Sequence, residues 1–210
     1  MTIDAAALLR LLAWLSPAFP TGGFAYSHGV EWAVETGAVR DAETLHDWLR
    51  DLLAHGSGRN DAILLRHAHR GLDVDDLARA TQPTRERLME TVNQGTAFLR
   101  AAGAWGGVPW SDLTYPVAVG RVAGRHSVDE HATALAYTQA LVANVISAAV
   151  RLVPLGQTSG LAVLAALEPD IVATVSGSAA ATLDDLGGSC LRADLFSALH
   201  ETQYTRLFRS

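Results

Sequence analysis

The spacing of apolar residues predicts helices along almost the whole chain. Between glycines and prolines, apolar positions recur at helical intervals, and no stretch alternates as a strand would. The clearest helix follows Asp41, which can cap it, because apolar residues there fall at i, i+3, i+4, i+7 and i+8. These residues are Leu45, Trp48, Leu49, Leu52 and Leu53. The pattern predicts an all-α fold.

A long apolar helix is predicted near the centre of the molecule. Ser127 and Glu130 have the spacing of a capping box, so a helix should run from there to about Val153. Apolar residues cover most of its circumference, which is typical of a helix surrounded by others. We predict a single domain over residues 1–210, a bundle of about eight to ten helices around this one.

Turn-forming residues divide the rest of the chain into shorter helices. The predicted segments are Ile3 to Leu15, Gly29 to Thr36, Asn60 to Arg70, Asp73 to Thr81, Thr84 to about Leu99, Thr158 to Leu167, Asp170 to Leu186, and one that begins near Leu191. Gly103 to Gly107 should break the chain. Residues 108–124, which contain Pro109 and Pro116, are predicted to be a loop with one short helix.

Composition excludes several classes of function. The net charge of -6 argues against a nucleic-acid surface, and polar residues interrupt the longest apolar tract, Ala132 to Leu155, so we expect no membrane span. The first residues lack the pattern of a signal peptide, so we expect a cytoplasmic protein. A single cysteine, Cys190, cannot form an internal disulfide.

No residue pattern indicates catalysis or a metal site. All 16 basic residues are arginine, which excludes a phosphate-binding loop with its lysine and a lysine Schiff base. Of the eight histidines, His67 and His69 are two apart and cannot chelate one ion from a regular helix. We therefore expect no catalytic residue, no fixed metal ligands and no tightly bound cofactor, so that any nucleotide chemistry belongs to another protein.

Two segments carry the candidate binding residues. The first is the loop from Ser16 to Gly29, which holds three aromatic residues between prolines and glycines, either packed on its own core or facing another protein. The second is the tail, residues 200–210, in which Tyr204, Leu207 and Phe208 fall at i, i+3 and i+4 beside two arginines. This composition is typical of interface hot spots. The alternative is that the tail docks on the chain's own core. The candidate residues are Phe19, Pro20, Gly23, Phe24, Tyr26, Ser27, His28, His200, Glu201, Gln203, Tyr204, Arg206, Leu207, Phe208, Arg209 and Ser210.

These segments resemble the UreF family of urease accessory proteins. The resemblance lies in Ser16-Pro17-Ala18-Phe19-Pro20 with Gly23-Phe24-Ala25-Tyr26-Ser27-His28-Gly29-Val30-Glu31, in Arg151-Leu152-Val153-Pro154-Leu155-Gly156-Gln157-Thr158, and in residues 200–210. They occur in the family's order and span the chain. The family often has an acid or another polar residue directly after Gln-Thr, whereas this chain has Ser159 there. Residues 72–124 carry no matching motif.

The resemblance implies an all-α homodimer that is not an enzyme. It implies that the chain joins UreD, also called UreH, to the GTPase UreG in a complex that loads nickel into apo-urease. Nickel would be in transit, and GTP would enter only through UreG. Family members meet UreD through the tail and the first loop, which here are residues 200–210 and 19–28. The small residues of Asn144 to Val150 also favour a homodimer because they allow helices to approach closely.

Two other functions remain open at the level of sequence. The chain could regulate the GTPase by inserting Arg206 or Arg209 as an arginine finger. It could instead be a metal-binding or cofactor-binding helical bundle that uses Tyr26, His28 and Glu31.

Overall fold

Helices carry the whole architecture of the computed structural model, which describes residues 4–188 and 190–210 and contains no strand there. The predicted all-α fold is confirmed. Short 3-10 helices cover Gly23–Ala25, Gly103–Trp105 and Leu183–Asp185. The α-helices are α1 Ala5–Trp14, α2 Val30–Glu35, α3 Ala42–His55, α4 Ser57–His69, α5 Asp75–Ala80, α6 Arg85–Ala102, α7 Tyr115–Arg125, α8 Glu130–Leu152, α9 Gly156–Ala166, α10 Glu168–Gly177 and α11 Leu191–His200.

Helix α8 lies at the centre, as its apolar circumference predicts. It packs against α2, α3, α4, α7, α9 and α10. By length and composition it could cross a bilayer, but 50% of its most apolar window is buried inside the fold. One apolar cluster joins α8 to α2, α3, α9, α10 and α11 around Trp48, and another joins it to α1, α4, α6 and α7 around Trp14 and Phe98. The first cluster supports the helices that carry the candidate site.

Helices α4 and α7 meet almost backbone to backbone. A Cβ on Gly120 would lie 2.3 Å from the main-chain oxygen of Leu65, and one on Gly124 would lie 2.4 Å from that of His69. Both distances are far below van der Waals contact, so only glycine fits at these positions. Helix α7 falls in the region predicted to be a loop with one short helix, and it is 11 residues long.

Two local predictions require correction. The capping box of Ser127 and Glu130 is wrong, because Ser127 has φ of 52° and Asp129 caps α8 instead, accepting from the main-chain N–H of Ala132 at 2.7 Å. The helix predicted from Asp170 to Leu186 begins at Glu168, since Pro169 suits a first turn, and ends at Gly177. Ile3, the predicted start of α1, lies outside the described residues.

Candidate functional site

The two candidate segments come from distant parts of the chain and lie side by side. The main-chain N–H of Arg209 donates to the main-chain oxygen of Ala25 at 2.9 Å. The main-chain N–H of Ser27 donates to the main-chain oxygen of Ser210 at 3.0 Å, and the Ser27 hydroxyl donates to the same oxygen. The first loop and the tail therefore form one site.

A turn in left-handed backbone brings α2 against α11 at this site. His28 has φ of 56° and Gly29 has φ of 77°. A Cβ on Gly29 would lie 3.0 Å from the main-chain nitrogen of Ser197, so glycine permits both the turn and the close approach of α11. Helix α2 starts at the next residue, and its first turn directs Glu31 towards the tail.

Glu31 anchors the tail through main-chain groups. Its Oε1 accepts from the N–H of Leu207 at 2.6 Å, and its Oε2 accepts from the N–H of Phe208 at 2.9 Å. Oε2 also lies 3.0 Å from Nε2 of His200. Glu31 is only 6% exposed, and hydrogen bonds to a buried carboxylate are among the stronger ones in proteins. The position of the tail therefore depends directly on this side chain.

His200, the last residue of α11, lies between two glutamates. Its ring is fully buried, with Nδ1 2.6 Å from Oε2 of Glu86 and Nε2 facing Glu31. The other oxygen of Glu86 accepts from Nη1 of Arg206 at 2.5 Å. Glu86 stands in the first turn of α6, so this contact ties α6 to the tail.

A third buried carboxylate, Glu90, holds the end of the tail. It accepts from the hydroxyl of Ser210 at 2.6 Å and from the amide of Gln94 at 3.0 Å, and it pairs with Arg87. Burial by itself would raise the pKa of Glu90, but Arg87, His28 and Ser210 together lower it to about 2. We call Glu31, Glu86, Glu90, Arg87, His28, His200, Arg206 and Ser210 the tail cluster.

His28, which is buried beside Glu90, completes this cluster. Its Nδ1 lies 3.0 Å from Oε1 of Glu90 but without the geometry of a hydrogen bond to any described group. Burial and the positive charge of Arg87 lower the pKa of His28, outweighing the opposite effect of Glu90. His28 also lines two cavities of about 170 and 220 Å³, together with Asp61 and Arg87.

Six candidate residues are buried within the chain itself. The prediction of an exposed tail is wrong for Phe208, which is 4% exposed because its ring packs beneath the guanidinium of Arg151 at 4.5 Å. No helix continues past His200, so the i, i+3, i+4 spacing of the tail does not form a helical face. The buried candidates are Tyr26, Ser27, His28, His200, Phe208 and Ser210.

The remaining candidates divide between the core and the surface. Phe19 packs on the core, with its ring 5.5 Å from that of Phe98. Phe24 is 73% exposed, Leu207 is 58% exposed and Tyr204 is fully exposed. Gly23 and Gln203 are half-buried, whereas Pro20, Glu201, Arg206 and Arg209 are exposed.

Sequence reasoning missed four residues of this site, namely Glu86, Arg87, Glu90 and Arg151. Glu86 and Glu90 are four apart and share one face of α6. Their spacing does not reveal that Glu90 is buried and Glu86 half-buried. Acidic residues near the start of a helix are usually solvated groups that interact with the helix dipole. In this structure, Glu86 and Glu90 instead contact the distant tail through Arg206 and Ser210.

The described side chains do not assemble the metal-binding alternative of Tyr26, His28 and Glu31. Tyr26, His28 and Glu31 have separate neighbours, since the Tyr26 hydroxyl accepts from Asn93 at 3.3 Å while the other two face Glu90 and the tail. Within residues 4–188 and 190–210, no three His, Cys, Asp or Glu side chains are placed to hold a metal ion. The arrangement can hold a peptide segment in place by charge and hydrogen bonding.

Comparison with known proteins points to a single family. The UreF family model matches residues 39–168. The urease accessory protein UreF of Bradyrhizobium sp. strain BTAi1 is 50% identical over 225 residues, covering 99% of this chain and 94% of the relative. Its counterpart in Rhodopseudomonas palustris strain BisB18 is 51% identical over 225 residues, with 99% and 93% covered. The Methylorubrum populi protein is 50% identical over 220 residues, with 96% and 98% covered.

Proposed function

Because the chain belongs to the UreF family of urease accessory proteins, we propose that it acts in urease maturation as a non-catalytic scaffold that binds other accessory proteins through its tail and first loop. The scaffold role suits a protein in which two buried carboxylates, Glu31 and Glu90, are engaged in holding its own tail. We assign binding to the surface that the docked tail and the first loop form together.

The observation that carries this proposal is a set of exposed side chains on a fixed backbone. Phe24, Tyr204 and Leu207 point outward, while the main chain beside them is held by Glu31 and by Ala25. Aromatic and arginine side chains supply most of the energy at protein interfaces, and fixing them beforehand lowers the entropic cost of binding. We call Phe24, Tyr204, Arg206, Leu207 and Arg209 the binding surface.

The binding surface is proposed to contact UreD, also called UreH, and the complex is proposed to include UreG and apo-urease. We also propose that the chain works in the cytoplasm as a homodimer through the small-residue face of α8 around Asn144. Nickel would pass in transit without a fixed site, and GTP would act only through UreG. These partners follow from membership of the family, and the exposed aromatic residues supply a surface of suitable chemistry.

Capture of UreD by the full chain tests this proposal. The double variant Tyr204→Ala with Leu207→Ala should bind UreD at least about ten-fold more weakly, because two exposed anchors are lost while the buried contacts remain. Leu161→Ala is the matched control, since Leu161 is a 66% exposed apolar residue on α9, away from the tail. Equal capture by the double variant and the control would refute the assignment.

A second candidate function, stimulation of the GTPase, is favoured by the exposed guanidinium of Arg209. Arg206 is engaged with Glu86, whereas the side chain of Arg209 has no ion-pair partner in the part of the chain that the structure describes. An arginine finger needs such a group. Arg209→Ala should then slow GTP turnover by UreG within the captured complex by more than any loss of capture explains, and unchanged turnover would exclude the finger.

A further inference from the structure

Two side chains of α8 hold the backbone of the first loop. The main-chain oxygen of Gly23 accepts from the side-chain amide of Asn144 at 3.1 Å, and that of Phe24 accepts from Nη1 of Arg151 at 2.8 Å. Asn144 and Arg151 are about two helical turns apart, so both lie on one face of α8. This face fixes the part of the loop from which the exposed ring of Phe24 projects.

The guanidinium of Arg151 also reaches the tail. Its Cζ atom lies 4.5 Å from the centroid of the Phe208 ring, within the range of a cation–π contact. Arginine suits both contacts at once, because its planar group can lie against a ring while its N–H groups donate hydrogen bonds. The side chain forms no ion pair within residues 4–188 and 190–210, so these two contacts are what hold it.

Arg151 stands beside a hydrogen bond that joins the two segments directly. The main-chain N–H of Arg209 donates to the main-chain oxygen of Ala25. Arg151 bonds to the residue before Ala25 and lies against the ring of the residue before Arg209. Main-chain hydrogen bonds near the surface open easily unless neighbouring contacts restrain the segments that carry them. Arg151 supplies such a restraint on both sides of this bond.

We propose that Arg151 is the positioning residue that holds the first loop and the tail in a fixed relation, so that Phe24 and Leu207 act as parts of one surface. It acts through the main-chain oxygen of Phe24 on one side and the buried ring of Phe208 on the other. This inference rests on the proposed function, since it concerns the surface that is assigned to binding.

Hydrogen exchange of the full chain tests the positioning role directly. Arg151→Met keeps a flexible side chain but removes the guanidinium. The amides of Ser27 and Arg209, which form the main-chain bonds between the two segments, should then exchange about ten-fold faster or more. Amides inside α8 should keep their protection. Unchanged exchange of Ser27 and Arg209 would overturn the proposal.

Arg121→Met is the matched control. Arg121 lies on α7, donates to the main-chain oxygen of Gly71 at 2.9 Å, and has its Cζ atom 5.8 Å from the centroid of a Trp110 ring. It therefore makes the same two kinds of contact in another part of the molecule. The Ser27 and Arg209 amides should exchange in this variant as in the unmodified chain. Faster exchange in both variants would overturn the proposal, because it would indicate general loosening.

Arg151→Lys separates the shape of the guanidinium from its charge. Lysine keeps the positive charge, but its compact ammonium cannot lie flat on the Phe208 ring while it donates to Phe24. The Ser27 and Arg209 amides should therefore lose most of their protection in this variant as well. Full protection in Arg151→Lys would show that a charge alone is sufficient and would overturn the proposal.

Capture of UreD separates positioning from a general loss of stability. Phe24→Ala should weaken capture by the otherwise unmodified chain. In the Arg151→Met background the same change should add little, because the Phe24 ring is no longer held in place and the two effects are not additive. A loss from Phe24→Ala of the same fold in both backgrounds would overturn the positioning role.

The two measurements together distinguish this inference from the function on which it rests. If Arg151→Met loses protection at Ser27 and Arg209 but captures UreD normally, the positioning role stands and the proposed binding surface fails. If protection persists in Arg151→Met while the Tyr204→Ala, Leu207→Ala double variant loses capture, the binding surface stands and the positioning role fails.

Discussion

Two partly buried groups of charges join distant parts of this molecule, and they are built differently. In the α8 cluster, which comprises Glu130, Arg66, Arg70 and Ser178, Glu130 accepts from Arg66 at 2.7 Å and from Arg70 at 2.8 Å. Arg66 also donates to the Ser178 hydroxyl at 2.9 Å. In the tail cluster, three carboxylates hold a segment without regular structure and depend partly on a histidine.

The two clusters differ in whether they are a fixed part of the fold. Arginine stays charged at every pH a protein meets, so the α8 cluster joins α4 to α8 and α10 as a fixed part of the fold. Burial alone would raise the pKa of Glu130, but Arg70 and Arg66 lower it to about 2. The tail cluster holds main-chain groups of a segment without regular structure, so it can open while the helices stay folded.

The largest effect is expected where the fixed cluster is broken. Glu130→Ala leaves Arg66, which is 3% exposed, without its carboxylate, and should lower the free energy of unfolding by about 3 kcal/mol. Urea denaturation measures this loss, and amide protection in the tail should be unchanged. Glu43→Ala, at an exposed position on α3, should change stability by less than about 0.5 kcal/mol. Loss of tail protection in Glu130→Ala would show that the clusters are coupled.

Asp61 provides a buried carboxylate with no arginine bonded to it. Burial raises its pKa to about 6, while the hydrogen bond from the Tyr137 hydroxyl at 2.7 Å acts in the opposite direction. The folded state therefore holds this proton more tightly than the unfolded chain. That contribution to stability is present below the ordinary aspartate pKa and is lost as pH rises through about 6.

Asp61→Asn should remove this pH dependence. Relative to the unmodified chain, the variant should gain about 3 kcal/mol of stability between about pH 4 and pH 8, as measured by urea denaturation at each pH. Asp76→Asn, on the exposed side of α5, serves as the control. A constant difference across the pH range would contradict the assigned titration.

Phe208→Ala separates release of the tail from unfolding of the helices. The ring is buried beneath Arg151, so its removal should abolish amide protection in the tail. The free energy of unfolding should fall by only about 1 to 2 kcal/mol, because the tail can detach alone. Phe24→Ala is the matched control, with a 73% exposed ring beside the same loop. A loss as large as that of Glu130→Ala would make the tail part of the core.

The smallest effect is expected at the rim of the tail cluster. The side chain of Arg206 is 38% exposed and pairs with Glu86, so Arg206→Ala should cost at most about 1 kcal/mol. The difference should shrink as salt is raised towards about 1 M, since exposed pairs are screened. Hydrogen exchange of the tail amides measures it. A larger loss of tail protection that does not depend on salt would show that the Arg206–Glu86 pair behaves like the α8 cluster.

The local spacing of apolar residues predicted the helices well, because each apolar face is formed by residues close together in the sequence. Leu45, Trp48 and Leu49 are buried on α3 as their spacing indicates, and α8 is central. The α8 cap was wrong because Glu130 is drawn to Arg66 and Arg70, residues about sixty positions earlier in the chain. Spacing within a helix contains no information about such long-range pairs.

The candidate site was predicted in outline only. Residue type and context marked the first loop and the tail as unusual, but they could not show that the segments pair through Ala25 and Ser27. Nor could they show that Phe208 is buried while Tyr204 is exposed, since a non-helical tail has no period that fixes direction. Glu86 and Glu90 became visible only once α6, α11 and the tail were placed together.

The glycine contact between α4 and α7 also limits how the molecule can deform. Helix α4 carries Arg66 and Arg70, and α7 leads through a short turn into Glu130 at the start of α8. Because no side chain separates Gly120 from the main chain of Leu65, the two helices cannot shift relative to each other without a backbone clash. We therefore expect α4 and α7 to move as a stiff unit, so that any rearrangement upon assembly is concentrated in the tail, which is held by side chains.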